Sequence, residues 1–105
     1  MIHLHLTKFW FNEIKYGNKV CEYRRVTPRL RSLISRELAS PNPLTVRLYC
    51  GYPKSTDIER IMTFFIRDIN IVEGSQLNTR VKRFFDAPSD ALFYQFVLGE
   101  VCHEE

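Results

Sequence analysis

Residues 9–28, FWFNEIKYGNKVCEYRRVTP, decide the fold, because the spacing of the apolar side chains changes at Gly17. Before Gly17 the apolar residues recur at helical spacing and predict a short helix over residues 8–16. These residues are Trp10, Phe11 and Ile14. Gly17 suits the left-handed position that ends a helix. After it, side chains alternate between two faces and predict a strand over residues 19–26.

Outside this stretch, alternation and enrichment in β-branched and aromatic residues predict four more strands. They cover residues 2–6, 44–50, 59–72 and 91–101. Thr27 followed by Pro28 is a usual helix start, and that helix runs to about Leu38. The longest strand, residues 59–72, is expected to bend near Phe64, where the alternation of apolar and polar side chains is interrupted. Residues 75–88 are predicted as a loop with room for one helical turn around Val81.

The order of these elements predicts an α+β fold. Five strands and two helices near the N-terminal half are too few for a doubly wound sheet, so a small β-barrel or a strongly curled mixed sheet fits better. Closure of such a sheet removes exposed strand edges. A chain of 105 residues, 45% of them hydrophobic and only 4 of them glycine, suits one domain over residues 1–105 with its own core.

Composition also limits the class of protein. The apolar runs are only a few residues long, and the N-terminus lacks the basic and apolar regions of a signal peptide. Three widely spaced cysteines argue against a secreted disulfide framework, so we expect a cytoplasmic protein with no membrane partner. The formal charge of +3 is compatible with a polyanionic partner without being evidence for one.

Three charged residues near the start of the second predicted strand form the candidate site. Glu22 and Arg24 share a strand face with Val20, and that face is expected to point toward the core or a cleft. A charge in such a place is costly unless it is paired or holds a ligand. One interpretation is a structural ion pair. The other is a phosphate or base site, in which Lys19 and Arg24 donate hydrogen bonds and Glu22 accepts them or acts as a general base.

The same segment resembles the signature of the ASCH domains, which belong to the PUA-like barrel superfamily. The signature is an aromatic residue, an isoleucine, a glycine, a lysine and then Glu-x-Arg. The matching residues here are Phe9, Ile14, Gly17, Lys19, Glu22 and Arg24. Two later motifs, Gly51-Tyr52-Pro53-Lys54 and Asp57-x-x-Arg60, look like a compact bacterial and phage-type subgroup.

The resemblance implies a PUA-like β-barrel of about five or six strands with two flanking helices. It also implies a cleft lined by the Lys19–Arg24 segment. The superfamily generally binds RNA or nucleotides. Some small ASCH proteins are amidohydrolases that act on N4-acetylcytidine, and at least one is reported as a ribonuclease. Their catalytic lysine matches Lys19, but their catalytic threonine falls at Glu22, so the nucleophile or its equivalent is missing here.

The favoured hypothesis is an RNA- or nucleotide-binding domain whose partner is single-stranded RNA or a modified or ordinary nucleotide. Its ligand-binding residues would be Lys19, Glu22, Arg24, Tyr52, Lys54 and Arg60. One alternative is a hydrolase of a modified nucleoside, or a ribonuclease, with Lys19 and Glu22 as the catalytic pair. Another is a protein-interaction module with an apolar patch around Phe84. No Cys-x-x-Cys or His-x-x-x-His spacing is present, so the sequence predicts no metal and no cofactor.

Overall fold

The computed structural model describes residues 1–86 and 88–102, and in that part of the chain it contains five β-strands and three α-helices. In chain order they are β1 Ile2–Leu6, α1 Lys8–Lys15, β2 Cys21–Arg25, α2 Pro28–Ala39, β3 Thr45–Cys50, β4 Ile61–Glu73, α3 Thr79–Phe85 and β5 Leu92–Val101. Short 3-10 turns at Ile58–Arg60 and Gly74–Gln76 precede and follow β4.

The strands form one mixed sheet with the order β1-β3-β4-β5-β2. Only β1 and β3 are parallel; the other neighbours are antiparallel. The first part of β4 pairs with β3, and the rest pairs with β5. Two register shifts between Phe64 and Asp68 mark the change. Because bulges bend a strand and increase its twist, the sheet curls into a half-barrel. The expected slip near Phe64 is confirmed.

The curl brings the two edge strands, β1 and β2, close to each other. A guanidinium nitrogen of Arg24 on β2 donates to the backbone carbonyl of His5 on β1 at 2.6 Å. A side chain therefore bridges the open side of the half-barrel at one end of these strands. This end is where the candidate site lies.

Two apolar clusters lie under the helices. The larger one joins the inward residues of β1, β3, β4 and β5 to Phe11 and Ile14 of α1 and Ile34 of α2. The smaller one lies under α3; its buried members are Leu77, Val81, Ala91 and Phe93. The half-barrel is thus covered on its concave side, while the odd-numbered residues of β1 stay exposed.

Most expectations for the local structure are confirmed, including the α+β class and the curled sheet. Gly17 has a φ of +78°, and the Thr27 hydroxyl accepts from the Leu30 amide at 3.2 Å. In addition to the two predicted helices, the structure contains a third, α3, in a segment where only one helical turn was expected. Val20 was expected on the inward face, but this prediction was wrong: Val20 is 64% exposed, because β2 begins at Cys21 rather than at residue 19.

Candidate functional site

Lys19 is placed by the turn that follows α1. Gly17 adopts the left-handed conformation, and the backbone amides of Asn18 and Lys19 then both donate to the Glu13 carbonyl, at 2.9 and 3.0 Å. The chain therefore turns back over the end of the helix before β2 starts. This geometry directs the Lys19 ammonium to Glu22, whose Oε1 lies 3.1 Å from Nζ.

Glu22 is a buried carboxylate with donors on both oxygens. Its Oε1 accepts from Lys19 and from the backbone amide of Tyr23 at 3.0 Å, and its Oε2 accepts from Arg24 at 3.1 Å. The Glu22 side chain is only 6% exposed, compared with 14% for Lys19 and 29% for Arg24. Burial of a charge requires such partners. Two cations and one carboxylate leave a net charge of +1 in this ionic cluster (Lys19, Glu22, Arg24).

Two aromatic rings, as well as Glu22, contact the Lys19 ammonium. Its Nζ lies 4.4 Å from the ring centroid of Trp10 and 5.6 Å from that of Tyr23. A cation over a ring face is attracted by the negative charge density of that face. Lys19 is therefore fixed in position rather than extended into solvent.

The ionic cluster forms one side of a cavity of about 100 Å³. Its apolar wall is formed by Leu6, Trp10, Val81, Phe84 and Phe85, and its polar wall by His5, Thr7 and the cluster. This volume is smaller than the cavity of about 150 Å³ that accepts one benzene ring in another protein, so it suits at most one small ring. The polar groups are gathered at one side, as in sites that orient a ligand.

Helix α3 covers this cavity and is attached to α1 by polar and aromatic contacts. Arg80 donates to Glu13 at 2.7 Å, and the Trp10 and Phe84 rings meet edge to face at 5.4 Å. The hydrogen bond from Asn18 and then that from Arg80 lower the pKa of Glu13. The segment that the sequence predicted as a loop thus supplies part of the cavity wall.

Thr7 lies directly before α1, where a threonine favours helix capping. It occupies the N-cap position of α1, but its side chain makes no capping hydrogen bond. The residue instead lines the cavity beside the ionic cluster. Thr27, whose hydroxyl does cap α2, is followed by Pro28, whereas no such proline follows Thr7.

Three of the six predicted ligand-binding residues lie at the cavity, and a fourth is linked to it. Lys19, Glu22 and Arg24 line the cavity together. Tyr52 is linked to it through His5, because the two rings stack with centroids 4.2 Å apart and His5 lines the cavity.

The other two predicted residues lie apart from the cavity. Lys54 is exposed on the loop after β3. Arg60 donates to the Cys50 carbonyl at 2.9 Å and lines a separate groove against α1. Phe11 is buried in the core, as expected for a residue on the apolar stripe of α1.

Among residues 1–86 and 88–102, no three His, Cys, Asp or Glu side chains gather as metal ligands. Within the same ranges, no helix has the length and apolar character needed to cross a membrane. Cys21, Cys50 and Cys102 are free thiols.

Comparison with known proteins adds no further evidence on function. No protein-family model, curated protein or solved structure matches this chain. The contacts of the cavity and its surroundings therefore carry the argument.

Proposed function

We propose that this chain binds single-stranded RNA or a nucleotide in the cavity beside Lys19, Glu22 and Arg24. The observation that carries the proposal is the ionic cluster, in which two cations share one buried carboxylate at the edge of an apolar, ring-sized cavity. Nucleotides combine a flat apolar ring with anionic phosphate. The cavity offers a matching surface to each part.

The cations of the cluster keep donors for a ligand. Among residues 1–86 and 88–102, Arg24 uses one nitrogen, Nη2, for both Glu22 and His5, which leaves its Nε and Nη1 groups. Lys19 has three N–H groups and donates one to Glu22. Arginine and lysine both bind phosphate, and a single guanidinium N–H can also donate to a base carbonyl. The remaining donors thus suit either part of a nucleotide.

The apolar wall suits the base. Trp10, Phe84 and Phe85 bring three aromatic rings to the cavity. Stacking of a base on an aromatic ring contributes about 1–3 kcal/mol per base. A cavity of about 100 Å³ holds one six-membered ring more readily than a fused pair, so we expect a pyrimidine to be preferred over a purine.

The resemblance to ASCH domains supports the same proposal. Gly17, Lys19, Glu22 and Arg24 have the spacing of that family's signature, and the segment lines a cavity at one end of a curled sheet. Assignment of the chain to the ASCH family, and of its half-barrel to the PUA-like superfamily, is part of the proposal.

A second candidate is hydrolysis in the same cavity, of a modified nucleoside such as N4-acetylcytidine or of RNA. The observation that favours it is Thr7, whose hydroxyl is not used as a cap and which lines the cavity with Lys19 and Glu22. A hydrolase would need a third polar group beside Lys19 and Glu22, and Thr7 offers one. Binding remains favoured, because both Glu22 oxygens already accept from Lys19, Tyr23 and Arg24.

The test measures RNA binding and product formation in the same samples. Wild type and the Lys19→Gln and Arg24→Gln variants are titrated into a labelled single-stranded RNA at several salt concentrations, with N4-acetylcytidine turnover followed in parallel. The matched control is Arg31→Gln, since Arg31 is exposed on α2, away from the cavity. Loss of a phosphate contact reduces the salt dependence by about one unit of slope.

Salt-sensitive binding that falls in Lys19→Gln and Arg24→Gln, and not in Arg31→Gln, supports the binding function. Turnover that is lost in Lys19→Gln and in Thr7→Val supports the hydrolase instead. Absence of both binding and turnover in the wild type, or equal binding by all variants, overturns the assignment of the cavity.

A further inference from the structure

Four aromatic rings form a continuous column on the outer face of the sheet. The order is His3, Tyr49, His5 and Tyr52. Successive ring centroids are 5.8, 4.7 and 4.2 Å apart, and the planes are inclined by 23°, 19° and 21°. These are the separations and angles of stacked rings. The column is separate from the buried aromatic residues of the core, which lie on the opposite face of β1 and β3.

The column follows from the register of two parallel strands. His5 on β1 is aligned with Tyr49 on β3, and both point outward because Leu4, Leu6, and Leu48 point into the core. Two hydrogen bonds fix the histidine rings. His3 Nδ1 lies 2.8 Å from the Tyr49 hydroxyl, and His5 Nδ1 lies 2.7 Å from the Gly51 carbonyl.

Tyr52 ends the column and has one free ring face. Gly51 has a φ of +66°, which turns the chain after β3 so that the Tyr52 ring lies against His5. Tyr52 is nevertheless 86% exposed, since only one of its faces is covered. A ring held in place by its neighbours loses little conformational freedom when a ligand stacks on it.

His5 connects this column to the cavity. Its ring stacks on Tyr52, the residue lines the cavity, and its backbone carbonyl accepts the hydrogen bond from Arg24. His5 is thus the residue that the column and the cavity share.

We propose that the exposed face of Tyr52 is a second base-binding site, and that the ligand is a single-stranded oligonucleotide of two or more nucleotides rather than a free nucleotide. This inference rests on the proposed function, because it takes the first base to occupy the cavity. The column acts as a preformed stack that the oligonucleotide extends by one base, and Arg24 lies where the intervening phosphate passes.

The experiment compares a mononucleotide with a short oligonucleotide. Uridine monophosphate and the RNA tetranucleotide of uridine are titrated by calorimetry into wild type, Tyr52→Ala and Tyr52→Phe. The matched control is Tyr16→Ala, because Tyr16 is also an exposed tyrosine but lies at the end of α1, outside the column. A circular dichroism spectrum of each variant checks that the fold is kept.

We expect the tetranucleotide to bind wild type more tightly than the mononucleotide does. Tyr52→Ala should weaken tetranucleotide binding by about 5- to 150-fold, the range for loss of one stacked base, and leave the mononucleotide unchanged. Tyr52→Phe keeps the ring face and should bind like wild type, as should Tyr16→Ala.

The outcomes separate the two proposals. If uridine monophosphate binds but the tetranucleotide binds no more tightly, or if Tyr52→Ala affects neither, the cavity proposal stands and the Tyr52 site is rejected. If neither ligand binds wild type, the cavity proposal fails and the second base site fails with it.

Discussion

Replacement of Glu22 by glutamine should lower the stability of the fold and raise its affinity for anions. Removal of one member of a fully buried ion pair costs about 3–5 kcal/mol, because the remaining charge is left without a partner. The Glu22 side chain is 6% exposed, but Lys19 and Arg24 are 14% and 29% exposed, so water screens part of this cost. We therefore expect a loss of about 2–3 kcal/mol in the free energy of unfolding.

The same change raises the net charge of the ionic cluster from +1 to +2. One more uncompensated charge near a bound phosphate, screened as in water, contributes about 1 kcal/mol. Binding of single-stranded RNA at fixed salt should therefore become roughly fivefold tighter. Chemical denaturation followed by circular dichroism measures the stability, and titration with labelled RNA below the denaturation range measures the affinity.

Two controls isolate the contribution of charge. Glu100→Gln changes an exposed glutamate on β5 and should alter stability by less than about 0.5 kcal/mol. The double variant with Lys19→Gln and Glu22→Gln should lose less stability than the two single variants added together, because the pair is removed at once. Unchanged stability in Glu22→Gln would refute the view that Glu22 compensates buried cations. Weaker RNA binding would show instead that Glu22 itself accepts hydrogen bonds from the base.

Two further predictions concern a histidine and the two helix starts. Partial burial, and then the charge of Arg47, lowers the pKa of His3, so the unfolded chain takes up the proton first. The free energy of unfolding should therefore fall as the pH drops below about 6.5, and His3→Gln should flatten this part of the pH profile in urea titrations. Thr27→Ala removes a capping hydrogen bond and should cost about 1 kcal/mol, whereas Thr7→Ala removes none and should cost less in the same titration. Equal losses in the two threonine variants, or a pH profile that His3→Gln leaves unchanged, would contradict these assignments.

The sequence predicted the elements whose signals are local. The strand at residues 2–6, the turn at Gly17 and the cap at Thr27 each depend on a few neighbouring residues, and each was found. The contact between Lys19 and Glu22 is also local, because the two residues are only three positions apart. Lys19 lies in the turn before β2, and Glu22 lies in β2.

The remaining features depend on contacts between distant segments. Helix α3 has only seven residues, too few to be stable without packing, and its position depends on contacts with Trp10 and Glu13. The ring column requires the parallel register of β1 with β3, and no periodicity in either strand specifies which strand will be its neighbour. The role of Thr7 likewise depends on where α3 and β2 come to lie.

The order in which strands find their neighbours has a consequence for when the site exists. β4 is joined to β3 by residues 51–60 and to β5 by residues 74–91, so these two pairings can form before one that spans most of the chain. β2 instead pairs with β5 across most of the sequence, from Cys21 with Val97 to Arg25 with Phe93. Closure of so long a loop is slow, and β2 is an edge strand that can also detach first. Since Glu22 and Arg24 lie on this strand, we expect the ionic cluster to be completed late in folding and lost early in opening.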